Sequence, residues 1–330
     1  MNRRTAIRRL ATFFLTTASL AEAQQAGKIF RIGYLDASTA SGSAALVKAF
    51  LQELSKLGWI EGKNITIEYR FAESKGRERV SELAADLVRL KVDLILVTSG
   101  PPALAAKGAT TTIPIVMANA GDPVGDGLVA SLARPGGNVT GFSGLSVELN
   151  TKRLEILKDA VPKLVRVGLL RRPPGSLANK LQLKELRLAA QALKLKLEEI
   201  DTQPDAKGLE SAFKTAKQKQ VKAIMTTSNS SFFAERKRIV ELAGKYQLPA
   251  IYSQKEYVDE GGLMSYGTDY EDLFRKAAHY VDRILKGTKP ADLPVQQATK
   301  FEFIINLKAA KQIGFTVPYE LLARANQVIK

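Results

Sequence analysis

The chain has 330 residues, of which 45% are hydrophobic and 25% charged, with a formal net charge of +16 and no cysteine. That length accommodates about two domains, and the absence of cysteine excludes disulfides, thiol catalysis and a lipid anchored through a leading cysteine. Lys and Arg are interleaved with Glu and Asp along helical stretches, and no basic arm or zinc-finger spacing is present, so the charge reads as solvated surface rather than as a nucleic-acid footprint.

In chain order, the first segment is an export signal. Arg3, Arg4, Arg8 and Arg9 precede an apolar run from Leu10 to Ala21, and Ala21-Glu22-Ala23 fits a small-x-small cleavage rule with the cut before Gln24. The run is short for a membrane span; an uncleaved anchor is the other reading of the same residues. Cleavage leaves 45 basic against 32 acidic side chains, a net +13. The expectation is a periplasmic protein with no stable membrane insertion.

From Ile29 onward strand and helix signals alternate. Strands are expected at 29–35, 64–69, 93–97, 114–117 and 139–142, with helices at 42–57 and 78–90 carrying Leu46, Phe50, Leu54 and Leu83, Leu87, Leu90 at helical spacing. A second series has helices at 148–160, 178–193, 208–219 and 232–246 between strands at 165–170, 196–200, 223–226 and 250–252. A strand at 263–266, a long helix at 269–286 closed by Gly287, a strand at 301–305 and helices at 306–313 and 318–328 complete the chain.

The two series echo one another. Arg31-Ile32-Gly33-Tyr34-Leu35 parallels Arg166-Val167-Gly168-Leu169-Leu170, and V-D-L-I-L-V-T-S-G at 92–100 parallels V-K-A-I-M-T-T-S-N at 221–229. The fold class expected is α/β: two doubly wound parallel-sheet lobes joined by three crossovers. The N-terminal lobe is placed at residues 24–142 plus about 267–293, and the C-terminal lobe at about 143–266 plus 294–330.

Ligands of doubly wound sheets bind beyond the C-terminal strand ends. The loops there supply the candidate ligand-binding residues: Ser38, Thr39, Ser99, Gly100, Asn119 and Asp122 from the first lobe, and Ser228, Asn229, Tyr252, Glu256 and Tyr266 from the second. Hydroxyls and free N–H groups at helix starts favour a carboxylate, Asp122 and Glu256 can pair an amine, and the tyrosines can cover a ring. Ser and Thr at these places also serve as helix caps, and Asp122 before Pro123 as a turn former. Ser99 and Asn229 occupy matching positions in the two lobes.

Catalysis lacks support. A serine nucleophile needs a base, and the single histidine, His279, lies within a helix with no accompanying motif. Neither metal-ligand spacing nor a phosphate-binding glycine loop occurs. No enzyme activity, catalytic residue, metal or cofactor is expected.

Several motifs carry a family resemblance spanning nearly the whole mature chain. They are L-G-W-I-E-G-K-N at 57–64, I-E-Y-R-F-A at 67–72, T-I-P-I-V at 112–116, G-D-P-V at 121–124, L-V-A-S-L-A-R-P-G-G-N-V-T-G at 128–141, G-G-L-M-S-Y-G at 261–267, Y-V-D-R-I-L-K-G at 280–287 and P-A-D-L-P at 290–294. As a set they resemble the ABC-transporter substrate-binding proteins with the type I periplasmic binding fold, in the branch of tryptophan/tyrosine-type transport. The resemblance implies a monomeric periplasmic receptor that closes on a small solute and delivers it to an ABC permease and its ATPase; an extracytoplasmic sensor for a membrane signalling partner is the alternative. Two departures, Pro101 after Ser99-Gly100 and Ser228-Asn229-Ser230, put an unmodified amino-acid specificity in question. The loops themselves point to a carboxylate-bearing solute, an amino acid or aromatic acid.

Overall fold

The computed structural model describes residues 28–172, 177–228 and 230–330; the export signal expected at 1–23 and Asn229 lie outside them. Successive side chains of β1 (Phe30–Asp36), β3 (Leu94–Val97) and β4 (Ile115–Ala120) point to opposite faces, so their apolar runs cover both faces of a sheet. With β2 (Ile65–Phe71), β5 (Val139–Ser143) and β11 (Gln296–Gln297) they form a six-stranded, all-parallel sheet of order β11-β5-β4-β3-β1-β2. Ile32, Tyr34, Leu94, Leu96 and Val116 pack against α1 (Ala40–Lys56) and α10 (Tyr270–Leu285). Leu35, Ile95, Val97, Ile115 and Met117 pack against α2 (Arg77–Arg89) and α3 (Gly100–Ala109). Complete burial of each such aliphatic side chain contributes about 1.5–3 kcal/mol.

The second sheet has seven strands in the order β13-β12-β10-β9-β8-β6-β7. Its members are β6 (Arg166–Arg171), β7 (Lys196–Asp201), β8 (Ala223–Thr226), β9 (Ala250–Tyr252), β10 (Met264–Thr268), β12 (Phe301–Asn306) and β13 (Gln327–Ile329). Only β10 and β12 run antiparallel. One face packs on α4 (Ser146–Ala160), α5 (Leu177–Ala192) and α11 (Leu307–Gln312), the other on α6 (Ala206–Gln218) and α8 (Arg236–Lys245). The helix expected at 232–246 is two pieces, α7 (Ser230–Ala234) and α8, with Glu235 between them. The terminal helix expected at 318–328 is only α12 (Tyr319–Leu322), after which the chain adds β13 to the sheet edge.

Three crossovers join the lobes, and they are hydrogen-bonded side by side. Thr268 Oγ1 donates to Gly144 O at 3.0 Å, Asp269 N to Lys300 O at 3.1 Å, and Ala298 N to Ser143 O at 2.8 Å. The boundaries differ by a few residues from those expected. Thr268 pairs with Phe301 in the second sheet, so the second crossover falls at Asp269 rather than near 266. After Pro294, Val295 N donates to Leu132 O at 2.7 Å and β11 pairs with β5, so the third falls at 298–300 rather than 293–294. Between β10 and β12 the chain thus returns to the first lobe as α10, which Trp59 Nε1 fastens through Asp282 at 2.8 Å.

Candidate functional site

The first-lobe loops at the C-terminal strand ends are largely held by their own local bonds. Asp36, at the end of β1, accepts from the Ser38 N–H at 2.8 Å and from the Ser43 hydroxyl. Thr39 caps α1, accepting from Gly42 N at 3.1 Å. Asp122 accepts from Gly125 N at 2.9 Å and initiates the turn that follows β4. Its carboxylate and burial together push the Asp126 carboxyl upward, burial being the larger cause, against the opposing charge of Arg77. Ser38, Thr39 and Asp122 therefore each have a structural task.

Ser99 is different, because it heads α3 without a side-chain cap bond. Pro101 and Pro102 remove two of the N–H groups that a helix start normally presents. Ser99 Oγ and the Gly100 N–H are what this turn can offer, and Asp126 Oδ2 lies 3.5 Å from the position a Cβ would occupy on Gly100.

Asn119 sits at the end of β4, which runs three residues beyond its expected limit. A Cβ on Gly144 would stand 2.1 Å from Asn119 Oδ1, so the glycine at the first crossover is what lets this side chain lie against the hinge backbone. Asn119 Oδ1 is buried and accepts no hydrogen bond.

Around Asn119 the second lobe and the hinge bring together residues the sequence reading did not name. Arg153, on α4, is 1% exposed. It donates from Nη1 to Asn150 Oδ1 at 2.5 Å and from Nε to Tyr266 O at 2.6 Å. Among the described residues no carboxylate lies within ion-pair distance of it. Burial lowers its pKa to about 10, so the guanidinium is still charged at neutral pH. The Nδ2 of Asn150, also fully buried, has no acceptor. A buried cation without a counter-ion, beside an unsatisfied donor, is costly unless an anion arrives to meet them.

Tyr270 opens α10 immediately after the second crossover. Burial raises its phenol pKa, while the charge of Arg153 and the side-chain amide groups of Gln254 and Asn119, donating toward the phenol oxygen, oppose the rise. Asn119 of the first lobe and Gln254 of the second thus both neighbour Tyr270. Next to it lies Tyr257, whose phenol burial also raises, with Thr226, Arg236 and Glu256 as neighbours. Glu256 begins α9 (Glu256–Asp259); burial holds its carboxyl above the ordinary carboxylate range, and its Oε2 is buried with no donor.

Phe233 packs edge-on against Tyr257, with ring centroids 6.1 Å apart, and carries the Arg236 guanidinium 4.7 Å from its ring centre. Its Cε1 lies 3.9 Å from where a Cβ on Gly42 of the first lobe would be, so this ring reaches the opposite wall of the cleft.

Two expected tyrosines turn inward. Tyr252 is fully buried, stacked on Tyr257 at 4.6 Å, and belongs to the core; period-2 alternation on β9 points it at the helices rather than at the cleft. Tyr266 packs on Phe301 and Phe303 and contributes only its carbonyl, to Arg153. Ser228 is half-buried past the end of β8. Of the expected residues, Asn119 and Glu256 share the polar cluster around Tyr270.

Arg153 had a signal in the sequence. Leu149, Arg153 and Leu157 recur at i, i+4 and i+8, and all three are buried. A charge at a core position of a helix stripe marks a polar task on a buried face. Tyr270 carried none, since one aromatic at a helix start fits ordinary packing.

The profile of the family described as ABC transporter substrate binding protein matches residues 39–329. The "Tyrosine-binding protein" of Clostridioides difficile (strain R20291) is 30% identical over 269 residues, covering 81% of this chain and 75% of that protein. Among solved structures, a domain from Streptococcus pneumoniae in complex with L-Trp aligns with a TM-score of 0.81 at 27% identity, over 91% of this chain and 99% of that one. A substrate binding protein with adhesive properties from Clostridium difficile, in its ligand-free, open form, aligns with a TM-score of 0.67 at 26% identity, over 92% of this chain and 99% of that one. Two parallel-dominated lobes around a polar cleft and these matches lead to one conclusion: the chain belongs to the ABC transporter substrate binding protein family, with the type I periplasmic binding fold, and is a solute-binding protein rather than an enzyme.

Proposed function

We propose that this protein is an exported receptor that closes on an α-amino acid with an aromatic side chain and presents it to an ABC permease. The observation that carries the reading is the buried, counter-ion-free Arg153 beside the orphaned Asn150 Nδ2, set in one polar cluster with the orphaned acceptors Asn119 Oδ1 and Glu256 Oε2. The first pair suits a carboxylate and the second an ammonium, so the cluster as a whole suits a zwitterion. Phe233 and Tyr270 offer aromatic surface next to these groups, with Tyr257 packed behind Phe233. The ligands named for the relatives, tyrosine and L-Trp, have this chemistry.

Hinge closure follows from the same geometry. Ligand contacts from both lobes favour the closed arrangement by differential affinity. At nearly equal identity and coverage, the chain superposes better on the L-Trp complex than on the open, ligand-free relative, which supports closed lobes here. Ser99 and the Gly100 N–H form the first-lobe share of the cleft.

Thermal-shift and calorimetric titration with the twenty amino acids test the proposal. Stabilisation by tryptophan or tyrosine, and a weaker effect with aliphatic amino acids, is expected. Stabilisation by none of them would reject it.

A further inference from the structure

The two lobes differ in charge far more than in fold. Residues 28–143 with 269–298 carry 18 basic and 16 acidic side chains, a net +2, whereas residues 144–268 with 299–330 carry 27 and 16, a net +11. The excess has a place. In the parallel strands of the second sheet, Arg166 is in register with Lys196 and Val167 with Ala223, so the strand starts of β7, β6 and β8 lie side by side. Lys163, Lys194 and Lys222 stand on the segments leading into them and Lys217 in the last turn of α6, all exposed and, among the described residues, without an ion-pair partner. Lys196, Lys219 and Arg166 add to the same pole and share one carboxylate, Glu198. Val165, 60% exposed, lies among them.

Helix C-termini favour cations, and that accounts for Lys217 in the last turn of α6. It does not account for Lys222, one residue before β8, or for Lys163 and Lys194, which sit at φ +57° and +56°, where glycine or asparagine is the usual choice. The equivalent pole of the first lobe also carries two exposed lysines, Lys63 and Lys91, without ion-pair partners among the described residues, but its other cations are neutralised one by one. There Lys28 pairs with Asp93 at 2.7 Å and Arg31 with Glu68 at 3.7 Å.

We propose that the strand-start pole of the second lobe is an adsorption surface for anionic phospholipid headgroups. Lysine dominates it, and lysine is a hydrated point charge on a flexible stem, suited to a diffuse field of phosphates. Recognition of individual carboxylates on a protein partner favours the planar arginine fork. The pole is formed largely of turns, with an exposed valine able to reach the headgroup boundary. It faces away from the cleft, because ligands enter at the opposite strand ends, so adsorption leaves the solute site open.

Co-sedimentation of the whole chain with vesicles of phosphatidylcholine, with and without phosphatidylglycerol, tests this. The expected result is binding only to the anionic vesicles, fading as salt is raised. Each basic side chain near an anionic surface changes affinity about fivefold. The triple variant Lys163→Glu, Lys194→Glu, Lys222→Glu should therefore bind at least about a hundredfold more weakly. The first-lobe variant Lys48→Glu, Lys63→Glu, Lys91→Glu, of equal net charge, should bind like the wild type. Absence of binding to anionic vesicles, equal loss in both triple variants, or capture by a nucleic acid or acidic protein without vesicle binding would overturn the proposal.

Discussion

The two walls of the cleft contain similar residue types and use them differently. In the first lobe Asp36, Thr39 and Asp122 meet nearby N–H or hydroxyl groups and hold their own loops. In the second lobe Asn150 and Glu256 hold buried polar atoms with no hydrogen-bond partner, matched in the first lobe by Asn119 Oδ1, and Arg153 holds a buried charge with no counter-ion among the described residues. A hydroxyl-rich loop is thus no better a sign of a ligand site than a charged residue within the apolar stripe of a helix. What marks the proposed site is the gathering of unsatisfied polar atoms around one buried guanidinium.

That contrast predicts a ranking of substitutions. Arg153→Met should have the largest effect, a loss of about 2–5 kcal/mol in affinity for an aromatic amino acid. Fold stability should also fall, because Tyr266 O and Asn150 Oδ1 lose their donor; titration calorimetry and denaturant unfolding measure the two separately. Arg153→Lys should restore stability better than affinity, since an ammonium lacks the planar fork.

Glu256→Gln should cost about 1.5–3 kcal/mol of affinity by removing a charge-assisted bond. The pH dependence has a definite sign. The free carboxyl is held above its ordinary range by burial, and a bound ammonium would lower it. Affinity should be level above the raised value, fall as the pH drops through it, and level again below the ligand-bound value. In Glu256→Gln this fall should vanish from a calorimetric pH series.

Phe233→Ala should weaken binding by about 1–3 kcal/mol through lost aromatic surface, with little change in unfolding midpoint because the ring is only partly buried. In the first lobe Thr39→Ala should cost about 1 kcal/mol of stability as a lost cap and leave affinity unchanged. Ser99→Ala should lower affinity by less than about 1 kcal/mol. A first-lobe substitution that outranked Arg153→Met or Glu256→Gln in affinity would break the comparison between the walls.

The fold was legible because α/β alternation leaves a clear trace. Strands covered on both faces read as apolar runs, and each helix stripe had its period, so both sheets and the return of the chain through α10 could be placed. The edges were less clear. Backbone bonds such as Val295 N to Leu132 O, which attach β11 to the first sheet, leave no pattern in side-chain type. Asn119 and Glu256, expected from their loops beyond the strand ends, lie together in the polar cluster around Tyr270. Tyr252, the last residue of β9, is turned inward by strand alternation, which its place next to a cleft loop does not reveal. Arg153 was passed over because a charged residue in a helix reads as surface until its Leu149–Arg153–Leu157 stripe is counted as core.

The central claim is that the cleft recognises a zwitterion, its carboxylate at Arg153 and Asn150 and its ammonium at Glu256 and Asn119. Calorimetric titration with L-tryptophan, tryptamine and indole-3-propionate tests it most directly. Binding of L-tryptophan, together with a loss of at least about tenfold for each analogue lacking one charge, is the predicted result. Equal affinity for all three would contradict the account.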